Sequence, residues 1–356
     1  MSEPLVSVAM AICDVDRFLA EAIESILGQS YRELEFIIVD FGSTDRSRTI
    51  AAGYASRDGR IQYSEIPKCT LPEARNAACA MARGQYIAVM DADDVSLPDR
   101  LQREVEFMES HPQVGLVGGQ AEWVDASGRV LFVLAEPTEH QEIEAELPQR
   151  CAIRHSTVLI RTAVFRAVGG YRKVFRAAHD YDMFFRVAER FECANLREVV
   201  LRYRVHPHQV SVAGRLQQTV CKLAAQASAA RRKKAEADPL DSAVEITADL
   251  LAKLSVDDSR LHRELASDCE AWIRNMFLAG EYAVALRVAR EYLRTDLRFV
   301  APRQIAELRL LVARLNWAQG RRAESIGACC RAVLTWPPAA GSLLRPVLRR
   351  LRLARG

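Results

Sequence analysis

Apolar positions in the first hundred residues switch repeatedly between a period of two and a period near 3.6. Val6, Val8, Met10 and Ile12 alternate with small residues, and the run breaks at Cys13-Asp14-Val15-Asp16, which predicts a strand ending in a polar loop. Phe18, Leu19, Ala22, Ile23, Ile26 and Leu27 then recur at helical spacing, with Glu21 and Glu24 on the other face, until Gly28-Gln29-Ser30 stops the pattern. Phe36 to Val39 is a continuous apolar run that leads straight into Asp40-Phe41-Gly42-Ser43-Thr44-Asp45. Strand, helix and strand in this order predict a right-handed β-α-β unit with parallel strands.

A short strand is expected near Ile61 to Ile66, followed by a capping box of Thr70 and Glu73 around Pro72 that starts a helix ending at Gly84. Arg75 and Asn76 fall early in that helix. A cation there opposes the helix dipole, so Arg75 is expected to have an anionic partner. Tyr86 to Met90 is a buried-strand pattern that stops at Asp91-Ala92-Asp93-Asp94. Parallel strands deliver such residues to the carboxyl edge of an α/β sheet, where ligands bind. Three acids in four residues repel one another unless a cation or several donors lie between them. A divalent metal carrying a diphosphate meets that need; a solvated acidic turn is the alternative. Ser96 to Asp99 is expected to cap a helix from Arg100 to Ser110.

Beyond residue 112 the order changes. Val114 to Val117 and Ala121 to Val124 read as strand material divided by Gly118-Gly119, and Asp125-Ala126-Ser127-Gly128 as a turn before a Val130 to Leu134 strand. His155-Ser156-Thr157 precedes apolar Val158-Leu159-Ile160, where a histidine is either a structural hydrogen-bonder or a functional group. His179-Asp180-Tyr181-Asp182 opens a helix through Arg190, and capping alone accounts for acids in such a first turn.

The remainder is helical. Leu216 to Ala237 ends at Asp238-Pro239, with Arg231-Arg232-Lys233-Lys234 as a solvated face. Trp272 to Leu278 with Gly280, and Trp317 to Ala318 with Gly320, form two helix-Gly-helix units whose glycines lie 40 residues apart. They read either as degenerate tetratricopeptide-type repeats or as plain helical packing. Pro337 to Gly356 holds five arginines and no acid, with Leu344, Val347, Leu348 and Leu351 opposite Arg345, Arg349 and Arg352. This amphipathic pattern, at 342–355, suits peripheral contact with an anionic membrane surface or docking on its own domain.

Length and charge sharpen the division. A chain of 356 residues is long for one core and suggests two domains. Residues 1–214 carry 24 Lys+Arg against 31 Asp+Glu, net −7, and residues 215–356 carry 25 against 15, net +10. No nucleic-acid motif accompanies the basic part, so nucleic acid is not an expected partner. Nine scattered cysteines without a CxxC pair argue against a disulfide framework and against a zinc site. With no apolar run of membrane-spanning length and no secretory pattern at the N-terminus, a cytoplasmic location is expected, peripheral at the inner membrane face if the tail binds lipid.

Val6-Ser7-Val8, Ala22 to Ser30, Ile38-Val39-Asp40-Phe41-Gly42-Ser43-Thr44-Asp45, Ala74-Arg75-Asn76 and Met90-Asp91-Ala92-Asp93-Asp94 with Leu97-Pro98 together resemble, in order and spacing, the family 2 glycosyltransferases of GT-A fold. The resemblance spans roughly residues 5 to 212. It implies an α/β fold with helices on both faces of a nucleotide-diphospho-sugar transferase sheet over 1–214, divided into a nucleotide-binding half (about 1–105) and an acceptor half (106–214), then an all-α region over 215–356.

By position, the resemblance places Asp91 on the donor's ribose, Asp93 on Mn²⁺ or Mg²⁺, with Asp94 beside it, and Arg75 near the donor nucleotide or its phosphates. Asp180 matches the general base of the family's Glu-Asp-x-Asp-x-x-x-x-Arg segment, with His179 in place of the Glu and Asp182 assisting. His155 falls on the acceptor side. Tyr203-Arg204-Val205-His206 through Ser211 matches the family's Tyr-Arg-x-His-x-x-x-x-Ser ending, which makes His206, ahead of His208, a metal ligand. The nucleobase side departs from the family. Phe41 stands where relatives have an acid that pairs with uracil, and Ala11-Ile12-Cys13-Asp14 replaces a loop with an aromatic near the base. Asp14 and Asp40 keep that pocket polar, and the donor's base is left open.

The expected function is inverting transfer of a sugar from a nucleotide-sugar donor to a glycan or glycolipid acceptor, in surface polysaccharide or glycolipid synthesis. A glycosidase also uses paired carboxylates but has no need of two nucleotide-type strand ends. The competing expectation is a transferase-like, non-catalytic binding or assembly protein that lost base recognition at Cys13 and Phe41.

Overall fold

The computed structural model describes residues 3–207, 209, 214–295 and 297–341. His208, Ser211 and the basic segment 342–355 lie outside the described residues. Two compact units emerge: Met1–Arg204 with Cys221–Leu254, and Val205–Val220 with Ser255–Gly356.

In the first unit, β1 (Val6–Ile12), β2 (Leu34–Asp40), β3 (Ile61–Glu65) and β4 (Tyr86–Val89) alternate with α1 (Asp16–Leu27), α2 (Ser47–Ala55) and α3 (Leu71–Ala80). Short β5 (Val95–Ser96) and α4 (Arg100–Ser110) follow, then β6 (Val114–Val124), β7 (Val130–Leu134), α5 (His140–Glu146), a 3-10 turn at His155–Thr157, β8 (Leu159–Arg161), α6 (Thr162–Ala167), α7 (His179–Ala188) and β9 (Glu192–Arg204). All nine strands share one mixed sheet in the order β3-β2-β1-β4-β8-β6-β9-β5, with β7 paired to β6.

Strands β1 to β4 are parallel to one another. Their carboxyl ends therefore bring Ile12, Asp40, Glu65 and Val89 to one edge. On its other side β4 pairs antiparallel with β8, Ala88 opposite Leu159, and β8 pairs antiparallel with β6. Two reversals make β6 parallel to β4, and β9 parallel to β6, so Val124 and Arg204 return to the same edge. Burial on both faces explains why β1, β2 and β4 read as apolar runs. Met10, Ile12, Phe36, Ile38, Tyr86 and Met90 pack with Leu19, Ile23 and Ile26 of α1 and Leu101 and Val105 of α4 in one core.

Two local expectations change. Gly118-Gly119 does not divide a strand, because β6 runs unbroken through both. A Cβ on Gly118 would lie 2.4 Å from Asn195 Oδ1, and one on Gly119 would lie 2.6 Å from a Val200 methyl, so these glycines admit β9 rather than make a turn. Ser96 is part of β5, not a cap, and Asp99 precedes α4 without a side-chain cap, pairing with Arg103 at 2.5 Å instead.

Just inside α4, Arg100 and Glu104 form a fully buried ion pair at 2.9 Å. Arg100 Nη2 donates to the Val89 carbonyl at 3.0 Å and to the Val158 carbonyl at 3.2 Å, which fastens the end of β4 to the start of β8. Burial pushes the Glu104 carboxyl up to about 7 against the pull of Arg100. A folded-state value above the unfolded one means the fold holds the extra proton between about 4.5 and 7, so this contribution is present below that window and lost as pH rises through it. Urea unfolding should show the wild type losing about 3 kcal/mol between pH 4.5 and 8 relative to Glu104→Gln, whose side chain does not titrate. Parallel pH profiles of the two proteins would remove Glu104 as the source.

The expected division at residue 214 falls differently in the observed units. The chain leaves the first unit after Arg204, returns to it within helix α8 (Arg215–Lys233) at Val220/Cys221, and the stretch through short α9 (Ala248–Lys253) belongs with the sheet. Arg232 pairs with Glu189 at 2.8 Å, and Arg172 with Asp238 at 2.8 Å, which ties this segment to α7 and the loop before it.

The second unit contains α10 (Asp258–Leu278), α11 (Tyr282–Tyr292), α12 (Pro302–Ala318) and α13 (Arg322–Thr335). Gly280 and Gly320 both have positive φ, at 81° and 74°. In each case the next residue's N–H returns five positions, Glu281 to Met276 and Arg321 to Asn316, both at 2.9 Å. The same left-handed glycine closure thus occurs twice. All nine cysteines are free thiols, and no helix among the described residues is long and apolar enough to cross a membrane.

Candidate active site

The carboxyl edge gathers four loops. After β1, Asp14 turns the chain at φ 52°, and its Oδ1 accepts from the Thr44 N–H at 2.7 Å, the Thr44 hydroxyl at 3.0 Å and the Asp45 N–H at 3.2 Å. These donors, led by the Thr44 N–H, hold its carboxyl below the usual range. After β2, fully buried Asp40 accepts from the N–H groups of Gly42 at 2.9 Å and Ser43 at 2.8 Å, with the Tyr63 hydroxyl 3.4 Å from its other oxygen. Both residues thus shape the wall on which Cys13 and Phe41 sit; Asp14 is the exposed one.

After β4, the three aspartates occupy different surroundings. Asp91 Oδ1 accepts from Arg75 Nη2, while Oδ2 accepts from the Ser156 hydroxyl at 2.9 Å and from His155 Nδ1 at 3.2 Å. Burial would raise its carboxyl, but Arg75, His155 and Ser156 more than offset this and hold it well below the ordinary carboxylate range. Arg75 has the anionic partner that its place in the helix demanded. His155 Nε2 lies 2.9 Å from the Tyr171 hydroxyl, and Asn76 pins Tyr171 through both of its backbone groups, at 2.9 and 2.7 Å. Asp94 is buried. One of its oxygens accepts from the Arg204 N–H at 2.9 Å, and the other has no partner. Burial first, then the charges of Asp93 and Asp91, push its carboxyl well above the usual range. Asp93 is half-buried between them.

A buried carboxyl with an orphan oxygen beside two further acids is a site short of positive charge. Oxygen donors of this kind fit a hard divalent cation. Among the described residues no group of three or more His, Cys, Asp or Glu forms a ready cage. A Mg²⁺ ion commonly takes one or two carboxylates and completes its shell from water and ligand phosphates. His206 is the second residue beyond β9 and belongs to the second unit; its backbone N–H donates to Gln209 Oε1 at 3.3 Å.

The fourth loop begins α7. Ala178, at φ 50° and ψ 26°, holds a left-handed conformation that costs an alanine roughly 1 kcal/mol or more, immediately before His179 and Asp180. Arg75 Nη1 donates to His179 Nε2, so the imidazole proton is on Nδ1, which is buried without a partner. Burial, then the charges of Arg75 and His155, hold His179 well below its usual value, and it is neutral. Asp180 is half-buried and makes no hydrogen bond or ion pair among the described residues, yet its charge is felt at Arg75, Cys151 and Tyr171. Asp182, one turn into the helix, is fully buried and clamped by Arg172 and by Arg186 at 2.8 Å.

The edge therefore brings together Arg75, Asp91, His155 and His179 in one bonded chain with Asp180 beside it. Ser156, Tyr171 and Arg204 were given no role from sequence. Ser156 adjoins His155, the nearest signal the sequence offers for it, and Tyr171 follows the glycine pair Gly169-Gly170.

Residues 7–167 match the family model for glycosyl transferase family 2. Over 212 residues the chain is 37% identical to the putative glycosyltransferase EpsE of Bacillus subtilis, covering 57% of this chain and 74% of that protein. It is 30% identical over 208 residues to the O-antigen biosynthesis glycosyltransferase WbnJ of Escherichia coli, covering 57% of this chain and 80% of that one. Among solved structures, TarS of S. aureus in complex with UDP aligns with a TM-score of 0.53 at 17% identity, over 94% of this chain and 91% of that one. The mannosyltransferase PcManGT of Pyrobaculum calidifontis, in complex with GDP-Man and Mn²⁺, aligns with a TM-score of 0.53 at 18% identity, over 95% and 88%. At these identities the structural likeness establishes the fold.

Proposed function

The chain belongs to glycosyl transferase family 2, and from that premise we propose an inverting, metal-dependent transferase that moves a sugar from a nucleotide-sugar to an acceptor hydroxyl. The observation that carries this reading is Asp180: a carboxylate without a partner among the described residues, beside an arginine already bound to Asp91. A general base needs free lone pairs within reach of the proton it takes. Asp180 accepts the proton of the acceptor hydroxyl while that oxygen attacks the anomeric carbon from the face opposite the nucleoside diphosphate. Asp182 holds the helix that presents it. Asp91, fixed by Arg75, His155 and Ser156, offers its carboxylate to the donor's ribose, and the Arg75 charge faces the phosphates. Asp93 and Asp94 would hold Mn²⁺ or Mg²⁺, which when bound compensates the charge of the departing diphosphate.

Asp14 and Asp40 build the wall for the nucleobase. Replacement of an acid by Phe41 is the reason the donor's base is not assigned to uracil. A glycan or glycolipid acceptor in surface polysaccharide synthesis is supported by the likeness to WbnJ, whose name places it in O-antigen biosynthesis.

Thermal unfolding with Mn²⁺ and a panel of UDP-, dTDP-, GDP- and CMP-sugars tests the reading. One donor should raise Tm only when Mn²⁺ is present, by an amount equivalent to about 2.7 kcal/mol at a hundredfold excess over Kd. A flat response across the panel, with and without metal, would sink the enzyme reading in favour of a non-catalytic assembly protein. Product whose anomeric configuration matches that of the donor would remove inversion.

A further inference from the structure

Arg204, the last residue of β9, is 2% exposed. A guanidinium that deep must have its charge and its donors satisfied. Nη2 donates to Glu21 Oε2 at 2.6 Å, Nη1 to the Ala126 carbonyl at 3.3 Å, and Nε to the Asp93 carbonyl at 3.0 Å. The Arg204 backbone N–H donates to Asp94 Oδ1 at 2.9 Å, and the guanidinium carbon lies 4.6 Å from the centre of the Phe18 ring. One residue thus ties α1, the β6–β7 loop and the turn that carries Asp93 and Asp94.

That turn has weak internal closure. Its own backbone bond, Asp94 N–H to the Asp91 carbonyl, is long at 3.4 Å, and β5 beyond it has only two residues. Adjacent carboxylates push apart, and a turn so loosely closed relaxes by separating them. Arg204 grips the turn at a neutral carbonyl and at one oxygen of Asp94, while exposed Glu21 takes up guanidinium charge. The other Asp94 oxygen stays open.

We infer that Arg204 is a positioning residue for the cation-binding turn: it fixes the spacing of the Asp93 and Asp94 carboxylates without itself touching the cation. The inference rests on the reading that this turn binds a divalent metal. Outer partners that orient metal ligands typically change affinity by about 10 to 100-fold when removed.

The test is a Mn²⁺ titration of the full chain without donor, read by the paramagnetic resonance of the free ion, together with Tm measured in chelator. Arg204→Gln should bind Mn²⁺ at least about tenfold more weakly, and Arg204→Lys should recover part of that loss. Glu21→Gln, at an exposed carboxylate that does not threaten folding, should weaken binding by about threefold through the loosened guanidinium. A role in stability alone would lower Tm in chelator and leave the affinity of the folded protein unchanged. Wild-type affinity in Arg204→Gln overturns the inference, and so does wild-type affinity in Glu21→Gln should the arginine variant not fold. A wild-type chain that takes up no Mn²⁺ would instead remove the metal reading, and this inference with it.

Discussion

Asp180→Asn should lower kcat by about three orders of magnitude while leaving donor affinity within about twofold of wild type. The asparagine is nearly isosteric, so the start of α7, set by left-handed Ala178 and by the Asp182 clamp, has no reason to move. What disappears is the only property the mechanism asks of this position, a lone pair basic enough to take a hydroxyl proton. In the proposed mechanism donor binding relies on Asp91, Arg75 and the Asp93–Asp94 turn, none of which Asp180 bonds among the described residues. The measurement is single-turnover transfer alongside calorimetric donor binding. Loss of donor affinity in step with kcat would move Asp180 from chemistry to binding, and unchanged turnover would remove it from the mechanism.

The second large effect is expected at Asp91. In Asp91→Ala, Arg75 keeps its charge in a largely buried position with neutral His179 as its remaining hydrogen-bond partner and only the unbonded charge of Asp180 nearby, and Ser156 and His155 lose their acceptor. Removing one partner from a fully buried ion pair costs about 3–5 kcal/mol and from this partly buried one somewhat less, so this variant should unfold at lower denaturant and transfer no sugar. Asp91→Asn keeps an acceptor for Arg75 and should lose less stability. The acid side gives an independent check. Because the folded-state value of Asp91 is depressed, its stabilisation is complete above the ordinary carboxylate value near 3.8 and disappears as pH falls through the folded value. Wild type should therefore lose stability on acidification below about pH 4 more steeply than Asp91→Asn. Denaturant curves at pH 3 and pH 6 decide the matter, and equal slopes for the two proteins would place the Arg75 charge elsewhere.

Sequence and structure agree best where the determinant is local. The apolar runs that end at Asp40 and Asp91 were readable because a strand buried on both faces leaves no polar position until it reaches the sheet edge. The anionic partner of Arg75 followed from the helix dipole alone, although its identity as Asp91 needed the fold. What was not legible depends on contacts far apart in the chain. Ser156 reaches Asp91 across 65 positions, and Arg204 reaches Glu21 across 183. Nothing in the neighbourhood of either serine or arginine announces those partners. Gly118-Gly119 misled because a glycine pair signals a turn as readily as the close passage of another strand, and only β9 distinguishes the two. The return of Cys221–Leu254 to the first unit rests on Arg232 meeting Glu189 and Arg172 meeting Asp238, pairs that composition cannot specify.

The position of β4 has an evolutionary corollary. It is parallel to its neighbour on one side and antiparallel on the other, meeting β8 through only three residue pairs. With the two pairs by which β5 meets β9, they make a narrow hem between two pieces of cloth: the stretch up to Ser110 can be kept while the stretch from Val114 to Arg204 is recut. On the proposed reading, in which the first piece binds the donor and the second the acceptor, a lineage that exchanged the second piece would address a new acceptor while retaining its donor. The residues to preserve in such a graft are those that stitch across the hem, Arg100 at the carbonyls of Val89 and Val158, Ser156 at Asp91, and Arg204 at Asp93.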